Sequence, residues 1–285
     1  MRYATNQTSQ AAKGLPARSG RRARKIAAVE HLEGRQSVLA ALRARKRRFQ
    51  SILIRHGIHA DQVQDIVDLA EQLAVPLRYV DAKELDSLAH GGSHGGVMAI
   101  AAAKPRLDGA ALFDLVGNLP APALLLLLEG VDDARNLGFT IRTAEALGCD
   151  AVLIKKHLWD FDPVEITRPA SGAFERLDLA QIDDVAPLQR LQKLGVLLFG
   201  CIAGAKRTMY DVDLTSPVIL AIGGEKRGLS GAVRSICDGL ITIPTSPDAA
   251  SSLPLSHAAA VVLAEAMRQR AFARTGAPAA DRRSE

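Results

Sequence analysis

The chain has 285 residues, of which 48% are hydrophobic and 24% are charged, and its formal net charge is +5. This length and balance are typical of a chain that folds by itself into one large or two medium domains. No run reaches the ~18 apolar residues that a membrane-spanning helix requires, so we expect a cytoplasmic protein without a membrane partner. The basic excess favours an anionic partner, although a similar excess occurs in proteins that never bind nucleic acid.

Residues 1–27 form a basic segment without acidic residues, because the first acid of the chain is Glu30. We expect this tail to be disordered. Two functions stay open for it, a phosphate-binding arm and a solvated leader. A transit peptide is disfavoured because residues 1–14 hold too few apolar side chains for an amphipathic helix. The basic residues of the tail are Arg2, Lys13, Arg18, Arg21, Arg22, Arg24 and Lys25.

Residues 28–104 alternate between helical and strand patterns, and they predict a small α/β domain. We expect Asp61 to cap and open the second helix of this domain. The predicted helices cover 35–45, 61–73 and 82–89, and the predicted strands cover 51–55, 77–80 and 96–102.

Prolines punctuate residues 105–122, which we interpret as a linker with one short helix. A larger domain follows over 123–275, and residues 276–285 form a C-terminal tail. Near-continuous apolar strands in the larger domain predict a parallel sheet covered by helices on both faces, so the fold class is α/β. The predicted strands cover 123–128, 150–154, 196–201, 218–222 and 240–243, and the predicted helices cover 137–147, 187–194, 229–236 and 255–270.

Cysteines and histidines give no sign of a metal site or of a disulfide. Cys149, Cys201 and Cys237 stand singly in apolar surroundings without a CxxC pair, so we interpret them as core thiols. His90 and His94 lie in the loop HGGSHGG, where the glycines on every side leave no second shell to orient a metal ligand.

Three clusters of polar residues and glycines follow strands of the predicted parallel sheet. Ligands bind such sheets at the carboxyl ends of the strands, so these clusters predict the functional site. The second cluster lacks the Lys-Ser or Lys-Thr pair of a phosphate loop, which disfavours ATP hydrolysis. Taken alone, it is equally compatible with an ordinary strand-to-helix turn. The clusters are EGVDDARNLGFTIR at 129–142, GGEKRGLS at 223–230 and IPTSPDAASSLPLSHAAA at 243–260.

The order and separation of these clusters resemble the three motifs of the SpoU family of RNA 2′-O-ribose methyltransferases, within the SPOUT superfamily. The matching segments are NLGFTIRTAEALGCDAVLI, ILAIGGEKRGLS with ITIP, and SSLPLSHAAAVVLAEAMRQR. ASGAF at 170–174 resembles an intermediate signature of the family, and residues 28–104 resemble its substrate-binding domain. The overall appearance is similar to that of bacterial enzymes that methylate a guanosine ribose in large-subunit ribosomal RNA.

The resemblance implies a fold, a cofactor and an assembly. In the family, the C-terminal segment of the parallel sheet domain threads through a loop and makes a deep trefoil knot. The implied cofactor is S-adenosyl-L-methionine, held around Gly223, Ile243, Ser252 and Leu253. The family also implies a homodimer with its active sites at the subunit interface.

The resemblance also assigns catalytic residues. Asn136 and Arg142 match the asparagine and arginine of the first motif, and Glu225 matches the glutamate of the second motif. The arginine is placed beside the attacking hydroxyl or the adjoining phosphate. Because guanidinium rarely gives up its proton, our hypothesis is that Arg142 donates hydrogen bonds and stabilises charge rather than acting as a base.

One residue departs from the family pattern. The third motif usually reads Ser-Leu-Asn-Val-Ser, and this chain has Pro254 at the asparagine position. Proline supplies neither a side-chain amide nor a backbone N–H. An RNA-binding relative with weakened or lost catalysis is therefore the alternative function. A nucleotide-binding metabolic enzyme is a third interpretation, which the missing dinucleotide and Walker signatures disfavour.

Basic residues outside the tail predict an interface with RNA, most simply ribosomal RNA. Arg135 and Arg168 lie near the expected cleft, and Arg47 and Arg48 belong to a basic run at 43–48. Phosphate contacts of this kind make affinity fall steeply with salt. The basic run is equally compatible with a solvated helix end favoured by the helix dipole.

Overall fold

A computed structural model describes residues 29–90, 94–155, 161–246, 248 and 252–275. The predicted tails at 1–27 and 276–285 lie outside the described residues, as does the centre of the loop HGGSHGG. Among the described residues, no helix combines the length and the apolar character needed to cross a bilayer.

The first domain is built on a four-stranded sheet with the order β1-β4-β2-β3. Its strands are β1 (Val29–Glu33), β2 (Phe49–Arg55), β3 (Leu77–Val80) and β4 (Val97–Ala102). β4 runs antiparallel to β1 and β2, whereas β2 and β3 are parallel. The helices are α1 (Arg35–Ala44), α2 (Gln64–Gln72) and α3 (Ala82–Leu88). Apolar residues of α1, α2 and the sheet form one buried cluster, so the predicted small α/β domain is confirmed.

Two details of this domain differ from the sequence predictions. Asp61 lies inside a short 3₁₀ turn, Ala60–Gln62, and α2 begins only after Val63 without a side-chain cap. Val63 has a φ of −130°, which interrupts the helix, so Asp61 does not open it. Strand β1 was not predicted, because its sequence VEHLE lacks apolar alternation and its strand form depends on pairing with β4.

The second domain is built on a seven-stranded sheet with the order β7-β6-β5-β10-β8-β11-β9. All its strand pairs are parallel, which confirms the predicted parallel sheet. The late strand β10 lies between β5 and β8, an arrangement compatible with the predicted knot, which stays a prediction. The strands are β5 (Leu124–Glu129), β6 (Ala151–Lys155), β7 (Asp178–Ile182), β8 (Leu197–Cys201), β9 (Arg207–Thr208), β10 (Val218–Gly223) and β11 (Gly239–Thr242).

Helices cover both faces of this sheet. Along β5, Leu124, Leu126 and Leu128 belong to the core on one face, and Leu125 and Leu127 belong to the core on the other. Both faces are thus buried, as the uninterrupted run of leucines predicts. The helices are α4 (Gly109–Gly117), α5 (Ala134–Ala146), α6 (Pro163–Ala170), α7 (Ala173–Arg176), α8 (Ala186–Gln192), α9 (Gly231–Ile236) and α10 (Leu255–Thr275).

The segment 105–122, predicted as a linker, contains the expected short helix, α4. Leu112 of α4 is fully buried in the same core cluster as Leu188 and Leu191 of α8. Leu107 pairs with Ala180 at the edge of the sheet. This segment therefore packs on the larger domain.

Several elements between β6 and β10 were not predicted, namely α6, α7, β7 and β9. Pro163 at the first position of α6 is compatible with a helix, but Pro169 stands inside it, where proline argues against a helix. Tertiary packing stabilises the helix instead, because the backbone of α6 packs directly against Gly138 of α5. A Cβ added to Gly138 would lie 2.4 Å from the carbonyl oxygen of Ile166.

Candidate functional site

A cavity of about 450 Å³ opens at the carboxyl edge of the parallel sheet. Its walls come from the ends of β8, β10 and β11 and from the start of α10. The structure brings all the predicted cofactor-binding residues together in these walls. They are Gly223, Ile243, Ser252 and Leu253.

Close backbone packing shapes this cavity at two adjacent glycines. A Cβ added to Gly223 would lie 2.0 Å from the carbonyl carbon of Gly228, and a Cβ added to Gly224 would lie 1.9 Å from the carbonyl oxygen of Gly130. Any larger residue would force the loop apart at these positions. Among the described lining residues, Glu225 alone carries a charged side chain. The cavity therefore suits a ligand with an extended polar and apolar body and a positive charge.

A second cavity of about 250 Å³ adjoins the first. Gly224, Glu225 and Leu255 line both cavities, so they form a common wall. The second cavity also receives Asn136 from α5. Two of the predicted catalytic residues, Asn136 and Glu225, thus lie beside the predicted cofactor cavity. A group held in one cavity can meet a group held in the other across this wall.

Asn136 is placed by the cap of α5. Asp133 is the N-cap residue, and its Oδ1 accepts hydrogen bonds from the backbone N–H groups of Arg135 at 2.6 Å and Asn136 at 3.1 Å. Such a cap fixes the first turn of the helix. Within the described part of the chain, the amide side chain of Asn136 has no hydrogen-bond partner, so it is available to a ligand.

Arg142 lies farther along α5 and lines neither cavity. Its side chain is exposed, and it has no ion-pair partner among the described residues. Arg135, Phe139 and Arg142 recur at helical spacing and share one exposed stripe of α5. The single chain therefore does not unite Arg142 with Asn136 and Glu225.

Two family models match the chain. The model of the SpoU rRNA Methylase family matches residues 123–264, and the model described as RNA 2′-O ribose methyltransferase substrate binding matches residues 31–107. A 23S rRNA (guanosine-2′-O-)-methyltransferase RlmB from Pseudomonas syringae pv. tomato is 34% identical over 247 residues, which cover 86% of this chain and 98% of the relative. The chain belongs to the SpoU rRNA methylase family.

Further relatives agree with this membership. A protein of the same description from Xylella fastidiosa is 37% identical over 220 residues, which cover 77% of this chain and 88% of the relative. The crystal structure of an RNA 2′-O ribose methyltransferase is similar with a TM-score of 0.69 and 26% identity, covering 85% of this chain and 89% of the other. AviRb from Streptomyces viridochromogenes, solved with AdoMet, shares the fold with a TM-score of 0.71 at 23% identity, covering 85% and 91% of the two chains.

Pro254, the departure from the third SpoU motif, stands at the start of α10. Its carbonyl oxygen accepts hydrogen bonds from the N–H groups of His257 at 3.0 Å and Ala258 at 2.9 Å. Proline thus opens the helix without distorting it, because no N–H is needed at this position. Position 254 therefore offers no side-chain donor next to Leu255, which belongs to the common wall of the two cavities.

Arg47, predicted to bind RNA, is buried instead. Its Nε and Nη2 donate to the two carboxylate oxygens of Glu175 at 2.7 and 2.8 Å, and its Nη1 donates to Glu30 at 2.5 Å. The side chain has 0% exposure, so the prediction of an RNA contact is wrong for Arg47. Burial opposes the charged form, but the hydrogen bonds and charges of Glu175 and Glu30 outweigh it and raise the pKa of Arg47.

The other predicted RNA-binding residues lie at the surface. Arg48 and Arg135 are exposed and have no ion-pair partner among the described residues. Arg168 is 36% exposed and pairs with Glu33 of the first domain. Burial opposes the charged form of Glu33, but the hydrogen bonds from His90 and Arg168 outweigh burial and lower the pKa of Glu33.

Glu129, at the end of β5, was missed by the sequence analysis as a site residue. It is only 4% exposed, its carboxylate accepts from the N–H and hydroxyl of Ser230, and it pairs with Lys155. Its position as the first residue of the first polar cluster was a usable signal, because an acid that ends a buried strand needs partners.

The cysteines and histidines form no metal site among the described residues. All three cysteines are free. Cys201 contributes to the wall of the larger cavity, and burial raises its pKa to about 12, so the thiol stays neutral. Cys149 belongs to the core, as expected for a structural thiol.

Proposed function

We propose that this protein transfers a methyl group from S-adenosyl-L-methionine to a ribose 2′-hydroxyl of 23S ribosomal RNA, at a guanosine. The observation that carries the proposal is the common wall of the two cavities. The larger cavity takes the cofactor, and the smaller cavity takes the target nucleoside. The curated relatives are described as acting on a guanosine 2′-oxygen of 23S rRNA, which supports the same substrate here.

The larger cavity fits the cofactor in chemistry as well as in size. Its glycine-rich walls let a ligand approach backbone groups, and the carboxylate of Glu225 complements a positive charge. When bound, S-adenosyl-L-methionine supplies an electrophilic methyl carbon on a sulfonium. Gly223, Ile243, Ser252 and Leu253 are the residues we assign to holding it.

The chain itself contributes alignment of the reacting groups and stabilisation of the charge that develops on the ribose oxygen. Asn136 orients the ribose hydroxyl toward the wall, and Glu225 fixes the approach from the cofactor side. Alignment of this kind supplies a large part of the rate of a displacement reaction. Arg142 would donate hydrogen bonds to the ribose oxygen and stabilise the negative charge that develops on it, while the hydroxyl proton would pass to a neighbouring phosphate of the RNA or to water.

Arg142 reaches the site through a homodimer. Support comes from apolar side chains that a single chain leaves in water on two helices that pack together, Phe139 of α5 at 50% exposure and Met267 of α10 at 49%. Burying such residues between subunits is favourable. In this assembly, one subunit's α5 stripe faces the cavities of the other.

RNA contacts outside the cavities come from Arg48, Arg135 and Arg168, which are at least partly exposed. We also propose a cytoplasmic location, since ribosomal RNA is the proposed substrate. These assignments predict binding that weakens as salt rises, because each phosphate contact releases counterions.

The test incubates the purified protein with radiolabelled S-adenosyl-L-methionine and rRNA from a strain that lacks the gene. We expect incorporation at one guanosine, lost in Asn136→Ala and in Arg142→Ala. Arg190→Ala is the matched control, since Arg190 is exposed on α8 at the opposite face of the sheet. Absence of incorporation by the wild type, together with no binding heat for the cofactor, would refute the proposal.

A further inference from the structure

One loop contributes to both cavities, and a single residue holds both of its ends. The loop spans residues 224–229 and includes Gly224 and Glu225 of the common wall. It leaves β10 at Gly223, which pairs in register with Glu129 of β5. It closes at Ser230, whose N–H and Oγ donate to the carboxylate of Glu129 at 2.8 and 3.0 Å.

Two further contacts fix the path of the loop between these ends. Gly228 N–H donates to the carbonyl oxygen of Gly224 at 2.8 Å, which makes the loop a tight turn. Gly224 packs directly on Gly130, the residue after Glu129, with no space for a Cβ. The contacts that Glu129 and Gly130 make with this loop therefore set the position of Glu225.

The carboxylate of Glu129 is buried and lines neither cavity. The ammonium group of Lys155, at the end of β6, contacts it and balances its charge. A buried pair of this kind is expensive to break from one side, because the remaining charge has no partner. Glu129 and Lys155 thus connect three neighbouring strands, β10, β5 and β6, beneath the loop.

We infer that Glu129 is a positioning residue for methyl transfer, which fixes the loop so that Glu225 forms the wall between cofactor and nucleoside. This inference rests on the proposed function. Glu129 touches neither ligand and acts only through the loop. Lys155 is required because its ion pair with the carboxylate of Glu129 holds that carboxylate toward Ser230.

A merely stabilising role would give a different pattern of effects. The larger cavity also has walls from the ends of β8 and β11 and from α10, so it keeps most of its cofactor contacts when the loop moves. By contrast, the alignment of cofactor and nucleoside across the wall depends on Glu225, so it is lost when the loop moves. The turnover number should therefore fall while cofactor affinity is nearly kept, which a general loss of stability does not produce.

The experiment uses the full chain and compares the wild type with Glu129→Gln, Lys155→Met and the double variant. Glutamine keeps an acceptor for Ser230 but leaves Lys155 unpaired, and the double variant removes that charge. Asp150→Asn is the matched control, because Asp150 Oδ2 accepts from the N–H of Leu124 at 2.8 Å on the opposite edge of the same sheet.

Two readouts are independent of each other. Hydrogen–deuterium exchange of residues 224–233 reports the loop without any ligand, and we expect Glu129→Gln to speed it about tenfold. Methylation of rRNA reports alignment, and we expect kcat to fall about tenfold to a hundredfold while the calorimetric Kd for S-adenosyl-L-methionine changes less than about threefold. The double variant should recover part of both losses.

Unchanged loop exchange in Glu129→Gln overturns the inference, whatever the activity. So does a kcat loss of the same size in Asp150→Asn, since that would reveal general destabilisation. If the wild type transfers no methyl group, the proposed function fails, while the exchange measurement still decides the role of Glu129.

Discussion

Arg47 and Glu175 form a two-pronged ion pair, 2.7 and 2.8 Å long, that is buried between the two domains. The two side chains are 0% and 1% exposed. Arg47 belongs to the first domain and Glu175 to α7 of the second. Beside them, Lys104 donates to the backbone carbonyl oxygens of Phe174 and Leu177 of the second domain. The substrate-binding domain and the methylase domain of this SpoU protein are thus joined by charged groups without access to water.

Replacing Arg47 should destabilise the protein strongly. Arg47→Met leaves Glu175 buried without a partner, which costs about 3–5 kcal/mol of unfolding free energy. Urea unfolding measures the change. Arg48→Met is the control, because Arg48 is exposed and substitutions at such sites cost no more than about 0.5 kcal/mol. Equal effects of the two substitutions would contradict the buried position of Arg47.

Lys104 should make stability rise with pH above neutrality. Burial lowers the pKa of Lys104 to about 7, well below its ordinary value of 10.5. Between these values the unfolded chain binds a proton that the folded chain lacks, so raising the pH favours folding, by about 1 kcal/mol per pH unit. Below pH 7 both states are protonated, and the dependence disappears.

The measurement for Lys104 is the difference in unfolding free energy between wild type and Lys104→Met from pH 6 to 8.5. We expect this difference to be flat at the acidic end and to shift in favour of the wild type above pH 7. A flat difference over the whole interval would mean that Lys104 stays charged when buried.

Restoring asparagine at position 254 should speed methyl transfer. Pro254 offers no donor beside the common wall of the cavities, and a hydrogen bond gained in the transition state accelerates a reaction about tenfold or more. Asparagine is also a favoured residue at the start of a helix, so α10 should tolerate it. Single-turnover rates of Pro254→Asn and Pro254→Ala separate the amide's contribution from the loss of proline. If the asparagine variant is no faster than the alanine variant, the amide has no role here.

Alanine at Gly224 should slow methylation strongly. The added Cβ would overlap the carbonyl oxygen of Gly130, so the loop that carries Glu225 must move away. Gly231→Ala is the matched control seven residues later, because nothing lies within 4 Å of a Cβ added there. Single-turnover assays should show a normal rate of methyl transfer for the control and a loss of about tenfold or more for Gly224→Ala. A normal rate for both variants would show that the loop accommodates the added Cβ without moving Glu225.

The sequence predicts those parts of the structure whose signals are local. Strand β5 is a run of leucines, as expected for a sheet buried on both faces, and the glycines of 223–230 mark a close backbone approach. Arg47 and Arg48 show the limit of such signals. They are neighbours of the same type, yet Arg47 is buried because Glu175 lies 128 residues later in the chain. Strand β1 and helix α6 likewise owe their form to partners that are distant in sequence.

The rigid connection between the domains has a consequence for how a target is chosen. A small domain on a loose tether would let the catalytic unit sample many nucleotides around an anchoring point. Arg47, Lys104 and Arg168 join the two domains, so the small domain and the catalytic domain keep a fixed distance from each other. The modified position is then defined by its distance from the part of the RNA that the small domain holds, and a change in that distance would move the target away from the cavities.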